Sequence, residues 1–225
     1  MDDTHPVVGL GQLIQGRHAA ITWALLVCGI GWGLVNFGFL LWLPTNLKEL
    51  GVDGAAASML LARSAILALP GIVLVVLLYQ RWSSFKALVL FNAMTALTLL
   101  WFALLGMFHI QSAAITILAT ASLLISVSGV IAMLIPYAAE IYPVHLRGSG
   151  SGLIAASSKF GGILGTGLAI LSFFDHFIFS AALLAIPMAV SAWMLWSNGI
   201  ETRGIGLEGI QQSLRVQALS GDQAG

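Results

Sequence analysis

The sequence predicts an all-α membrane protein of six transmembrane helices. Three observations carry the prediction: charge is scarce, six long apolar runs follow one another, and charge and helix breakers collect between the runs. Hydrophobic residues make up 59% of the 225 residues and charged residues 8%, with a mean hydropathy of +0.97. A water-soluble domain carries about a quarter charged residues, so lipid must cover most of this surface.

A helix needs about 20 mostly apolar residues to cross a bilayer. Six segments meet that length: Ala19–Leu43, Ala56–Tyr79, Ala87–Met107, Ala113–Tyr137, Gly150–Phe174 and Phe177–Trp196. Each is continuously apolar rather than alternating, which excludes the strands of a membrane barrel. Lipid offers no partner for free backbone groups, so each run must be helical. Between the runs lie Pro44 to Asp53, Gln80 to Lys86, His109 to Gln111, Glu140 to Arg147, and Asp175 with His176. Pro70-Gly71 is expected to break the second span, and Pro136 sits near the end of the fourth. The organisation is therefore an N-terminal segment 1–18, a bundle 19–196 and a tail 197–225. The segment 1–18 lacks the basic start, apolar middle and small-residue site of a signal peptide.

Positive charge sets the expected orientation. With both termini in the cytoplasm, Arg17, Arg81, Lys86, Arg147, Arg203 and Arg215 fall inside and only Lys48 outside. The localisation that follows is a multi-pass protein of a cell membrane, compatible with a bacterial inner membrane.

Several function classes are excluded or unsupported. The net charge is zero and no basic stripe exists, which argues against a nucleic-acid partner. Cys28 is the one cysteine, so no internal disulfide forms. The five histidines lie outside the spans or at their edges without metal-ligand spacing. No metal or cofactor is expected. None of the nine Asp and Glu residues lies deep in a span, although ion-coupled sites usually bury a carboxylate.

The candidates for solute binding are the polar residues inside the apolar runs. Arg63, in the second span, reads either as a forked cation for an anionic solute or as a side chain snorkelling to the nearer headgroups. Asn36, mid-span in the first helix beside Trp32, reads as a ligand-orienting wall or as a helix–helix hydrogen bond. Ser122, Ser126, Gly129 and Met133 share one face of the fourth span; Ser126 could line a pathway, though such stripes more often serve close packing. Gly29 with Gly33, and Gly161 with Gly165, have the GxxxG spacing of packing faces. Lys159, in the fifth span, either holds charge in a transport cavity, pairs across a gate, or snorkels.

The run Pro136-Tyr137-Ala138-Ala139-Glu140-Ile141-Tyr142-Pro143-Val144-His145-Leu146-Arg147-Gly148-Ser149-Gly150-Ser151-Gly152 closely resembles the loop between helices ten and eleven of major facilitator superfamily transporters. Glu140, Tyr142, Pro143, Arg147, Gly148, Gly150 and Gly152 match that pattern, and Lys159 stands near a position where many members have arginine. Trp42-Leu43-Pro44-Thr45-Asn46-Leu47 is similar to the end of the family's helix seven. Glu201-Thr202-Arg203-Gly204 is similar to the tail after helix twelve in sugar- and organic-acid-type members. The segment Gln80–Lys86 departs from the family: it keeps basic charge but loses the acidic and glycine positions.

The resemblance implies the C-terminal six-helix half of the major facilitator fold. It implies secondary active transport of a small organic solute, such as an organic or aromatic acid, by alternating access in symport. Arg63, Asn36, Trp32 and Ser126 would face the solute. Glu140, Pro143, Arg147, Gly148, Gly152 and Lys159 would form the gate and its motif, with Glu140 and Arg147 paired. Partners would be the solute, the bilayer, and a separate first half or a second copy. The chain alone would then be inactive. A truncated, non-transporting remnant or a regulatory half has the same composition. An intramembrane serine protease would need a G-x-S-G turn and a buried histidine, which this sequence lacks, so the chain is expected not to be an enzyme.

Overall fold

The computed structural model describes residues 13–14, 18–49, 54–109 and 112–201. Most of the N-terminal segment, Asp53, Ile110 and Gln111, and the tail from Thr202 with Arg203 and Arg215 lie outside the described residues, as do the side chains of Asn46, Lys48 and Glu49.

The described residues are helical throughout their long elements: α1 (Ala19–Leu34), a π-helical turn (Val35–Phe39), α2 (Leu40–Glu49), α3 (Gly54–Arg81), α4 (Ser84–Met107), α5 (Ala113–Ile141), α6 (Val144–Ile170), a 3-10 turn (Phe173–Asp175) and α7 (Phe177–Asn198). Six stretches are long and apolar enough to cross a membrane: Ala19–Thr45, Ala55–Leu78, Ser84–Met107, Ala113–Ile141, Val144–Ile170 and Phe177–Asn198. The spans run up and down, so the starts of α1, α4 and α6 share one face of the bundle with the ends of α3, α5 and α7. That face is called the terminal face here, and the opposite one the far face.

Four features differ from the sequence expectation. Pro70-Gly71 does not break the second span; α3 runs through it unbroken. A proline inside a helix frees one carbonyl, which membrane helices tolerate. Pro44, expected in a connector, lies within α2. The expected polar connector Glu140–Arg147 is mostly helix. α5 continues to Ile141, and Pro143 caps α6, its carbonyl accepting the backbone N–H groups of Leu146 at 2.9 Å and Arg147 at 2.8 Å. Proline fits at a helix start because its missing N–H has no partner there anyway. α6 then stops at Ile170, earlier than expected, where Ser172 takes a left-handed φ of 56°.

The packing is uneven. α1 lies mainly on α6 and α7, α4 on α5 and α7, and α3 on α5. A cluster of three rings ties the first, third and sixth spans: Phe39 and Phe177 stack with centroids 5.6 Å apart, and Phe102 meets them edge-on at 5.7 and 5.9 Å. Such offset and edge geometries suit the ring quadrupoles. The second span is the least buried of the six and the fifth the next.

Candidate functional site

The crossing of α1 and α6 is built from glycine. A methyl group on Gly33 would meet the Gly162 nitrogen at 2.6 Å and the Ser158 carbonyl still closer; one on Gly161 would meet the Ile30 backbone; one on Gly165 would lie 3.0 Å from the Gly38 nitrogen. The expected GxxxG faces are therefore one seam, closed backbone to backbone. Above it the first span loosens into the π-turn Val35–Phe39, a local irregularity that recurs at functional sites. The sequence offered no periodic signal for it.

Asn36 lies in this π-turn, half-buried. Phe37 beside it meets Trp32 edge-on, centroids 5.9 Å apart at 90°. Trp32 itself is buried, and its indole N–H donates to the Val127 carbonyl at 2.8 Å, joining α1 to α5. Ser126 is fully buried and its hydroxyl donates to the Leu123 carbonyl at 3.1 Å. The rest of its stripe packs on α4: Ser122 lies 3.4 Å from the Thr98 hydroxyl, and Gly129 faces the Phe91 ring. Arg63 is exposed on α3, its guanidinium laid back over the preceding turn with Nη2 3.6 Å from the Met59 sulfur. Long helical side chains fold toward the helix N-terminus in this way.

Lys159 is exposed on α6. It opens a groove of about 620 Å³ between α6 and Phe37 that continues past Gly162, Ile163 and Thr166 to Ile170. Counted at 1.5 Å per residue from the far-face ends of their spans, Asn36 lies about 14 Å deep, Arg63 about 12 Å and Lys159 about 17 Å. Three polar groups from three helices thus share one level near the middle of a hydrocarbon core about 30 Å thick.

The second concentration of polar groups is on the terminal face. Ser84 donates its hydroxyl to Glu140 Oε1 at 2.9 Å, joining the start of α4 to the end of α5. Lys86 Nζ pairs with Glu201 at 3.1 Å, and Ser83 donates to the other oxygen of that carboxylate. The Tyr137 hydroxyl donates to the Ile200 carbonyl at 3.1 Å and accepts the Ile200 N–H at 3.0 Å. The segment after α7 is thereby strapped across α4 and α5. At the α5–α6 turn, the buried Tyr142 ring covers Gly150, meets the His18 ring edge-on and shares a 2.8 Å hydrogen bond with Thr22. Burial pushes the Tyr142 phenol above its ordinary pKa, and the Thr22 bond opposes the shift.

The expected Glu140–Arg147 pair is not among the ion pairs of the described residues. Arg147 is half-buried with its Nε enclosed and without a hydrogen-bond partner. Gly148 and Gly152 face open space, with nothing within 4 Å of an added methyl group, whereas Gly150 is packed. Sequence reasoning missed the strap residues Tyr137, Ser83 and Lys86, and also Asn92, whose buried amide donates to Cys28 Sγ at 3.1 Å. An amide inside an apolar run was the available signal for Asn92.

Six apolar spans and an all-helical bundle define a multi-pass membrane protein with the architecture of a transporter half. The sequence pattern of the Major Facilitator Superfamily matches residues 3–166. The match takes in well over half of the chain, and the protein belongs to this family of transporters. No curated protein matches the chain.

Proposed function

We propose that the protein moves a small organic solute, an organic or aromatic acid, by secondary active transport. It would act as the second six-helix half of a symporter-type machine that alternates access across a cell membrane. The observation that carries this reading is the exposed stripe of α6. Gly148, Gly152, Ala156, Lys159 and Ile163 follow one another at helical spacing on that exposed side, and the half-buried Gly167 continues the row. Three of these are glycines that meet nothing within 4 Å. Glycine in a membrane helix serves close backbone approach, and a lysine at mid-depth needs a protein or aqueous surround. A stripe of both fits the face of a second six-helix bundle better than lipid.

In this reading the terminal face is cytoplasmic, consistent with its load of Arg and Lys. Glu140, Pro143, Arg147, Gly148 and Gly152 are the gate elements, with Arg147 free to find a carboxylate as the halves rock. Arg63 and Asn36 face the solute, in company with the ring wall at Trp32 and Ser126 behind it. The test is uptake into proteoliposomes, with and without an imposed proton gradient, for organic acids and neutral sugars. The chain alone is compared with the chain reconstituted beside a candidate first half. Uptake of acids by the paired sample only, driven by the gradient, is the expected result. Equal uptake by the chain alone as a monomer would overturn the reading.

A further inference from the structure

The groove on α6 has a cation at one end and, among the described residues, no anion to meet it. Among the residues whose side chains are described, Glu140, Asp175 and Glu201 are the acids, each at a helix end or beyond it, and the one ion pair joins Lys86 to Glu201. Lys159 is about 17 Å from the far-face end of α6 and about 22 Å from its other end. A charge at that depth is retained where it has a role and a counter-charge. The counter-charge must come from outside the described residues.

The groove also has a direction. From Lys159 to Ile170 it runs about 17 Å along α6. Its volume of about 620 Å³ is that of a small-molecule site. The walls beyond Lys159 are apolar apart from Thr166, whose hydroxyl proton is engaged by the Gly162 carbonyl at 3.0 Å. Thr166 therefore presents lone pairs, which repel a carboxylate and leave Lys159 as the anion-binding end. Phe37 forms the opposite wall, held edge-on by Trp32, and an aromatic wall favours a flat apolar body.

We propose that this groove binds a monocarboxylate with a rigid aromatic body. Its carboxylate meets the Lys159 ammonium, and its rings lie along Phe37 and Ile163 toward Ile170. The assignment rests on the transport reading only for the claim that such an acid is cargo; binding stands by itself.

The test is calorimetric binding of 4-phenylbenzoate and its neutral counterpart 4-phenylbenzamide to the full chain in nanodiscs, with protein-free nanodiscs subtracted. The acid should bind at least about tenfold more tightly than the amide, a preference of about 1.4 kcal/mol. Lys159→Met should erase the preference, and Lys159→Arg should keep most of it. Gly167→Leu adds its side chain to open space in the groove, so the protein folds while both ligands lose affinity. Leu164→Ala, exposed on α6 outside the groove, should leave binding unchanged. Equal affinity for acid and amide, or a preference that survives Lys159→Met, would overturn the proposal and mark the groove as a seat for lipid or another helix. No gradient and no second half enter this measurement, so its failure is distinct from failure of the uptake test.

Discussion

Replacing Gly33 by alanine tests whether the α1–α6 seam holds the bundle together. The added methyl would lie 2.6 Å from the Gly162 nitrogen and closer to the Ser158 carbonyl, against 3.4 Å or more for an ordinary contact. Both obstacles are backbone, so no side chain can turn away. The helices must separate by roughly 1 Å, a gap that forfeits a quarter to a half of each contact's attraction of about 0.1–0.2 kcal/mol. Over the few tens of atom pairs along the seam the loss is about 1–3 kcal/mol, the usual cost of overpacking. Cys28 supplies the assay. It is the one cysteine and is fully buried, so a fluorogenic maleimide labels the solubilised protein only as it unfolds. Gly33→Ala should lower the labelling midpoint by several degrees. Gly167→Ala, which meets open space, should hold or raise it, since alanine favours the helix by up to about 1 kcal/mol. Equal midpoints for the two variants would refute the seam.

Two further outcomes follow from the terminal face. Tyr137→Phe removes both hydrogen bonds that hold Ile200; at about 1–3 kcal/mol for the pair, amide exchange at Ile200 should quicken about 10- to 100-fold, and an unchanged rate would dismiss the strap. Tyr142 has its pKa raised by burial, so the folded protein keeps a proton that the unfolded chain releases. Its contribution is intact below the ordinary tyrosine value and is lost as pH rises above about 10. Tyr142→Phe should flatten that alkaline decline, and a decline of unchanged steepness would place its cause elsewhere.

The six spans were legible because lipid leaves helix as the one way to pair a backbone inside an apolar run. Run length and low charge were enough to find them, and the match around Pro136–Gly152 pointed to the family. The errors at Pro44 and Pro70 share one cause. Proline reads as a breaker in water, but a helix inside an apolar run continues past it because lipid leaves the rest of the backbone no other partner. Function was less legible. Arg63, Asn36 and Lys159 stood out in the sequence as polar residues in apolar runs, yet each allowed two readings there, because sequence spacing does not show which face of a helix meets protein.

By itself, then, the sequence determined the number of helices, their alternation and the family, since these follow from apolar length, charge placement and one dense motif. Only the tertiary structure decided which glycines close a seam and which face open space. It alone turned the Trp32 indole and the Ser126 hydroxyl onto backbone carbonyls and set Glu140 on Ser84. It alone left Lys159 at the head of a groove. The physical reason is that small and polar side chains act through what lies a few ångströms away, and those neighbours come from helices distant in the chain.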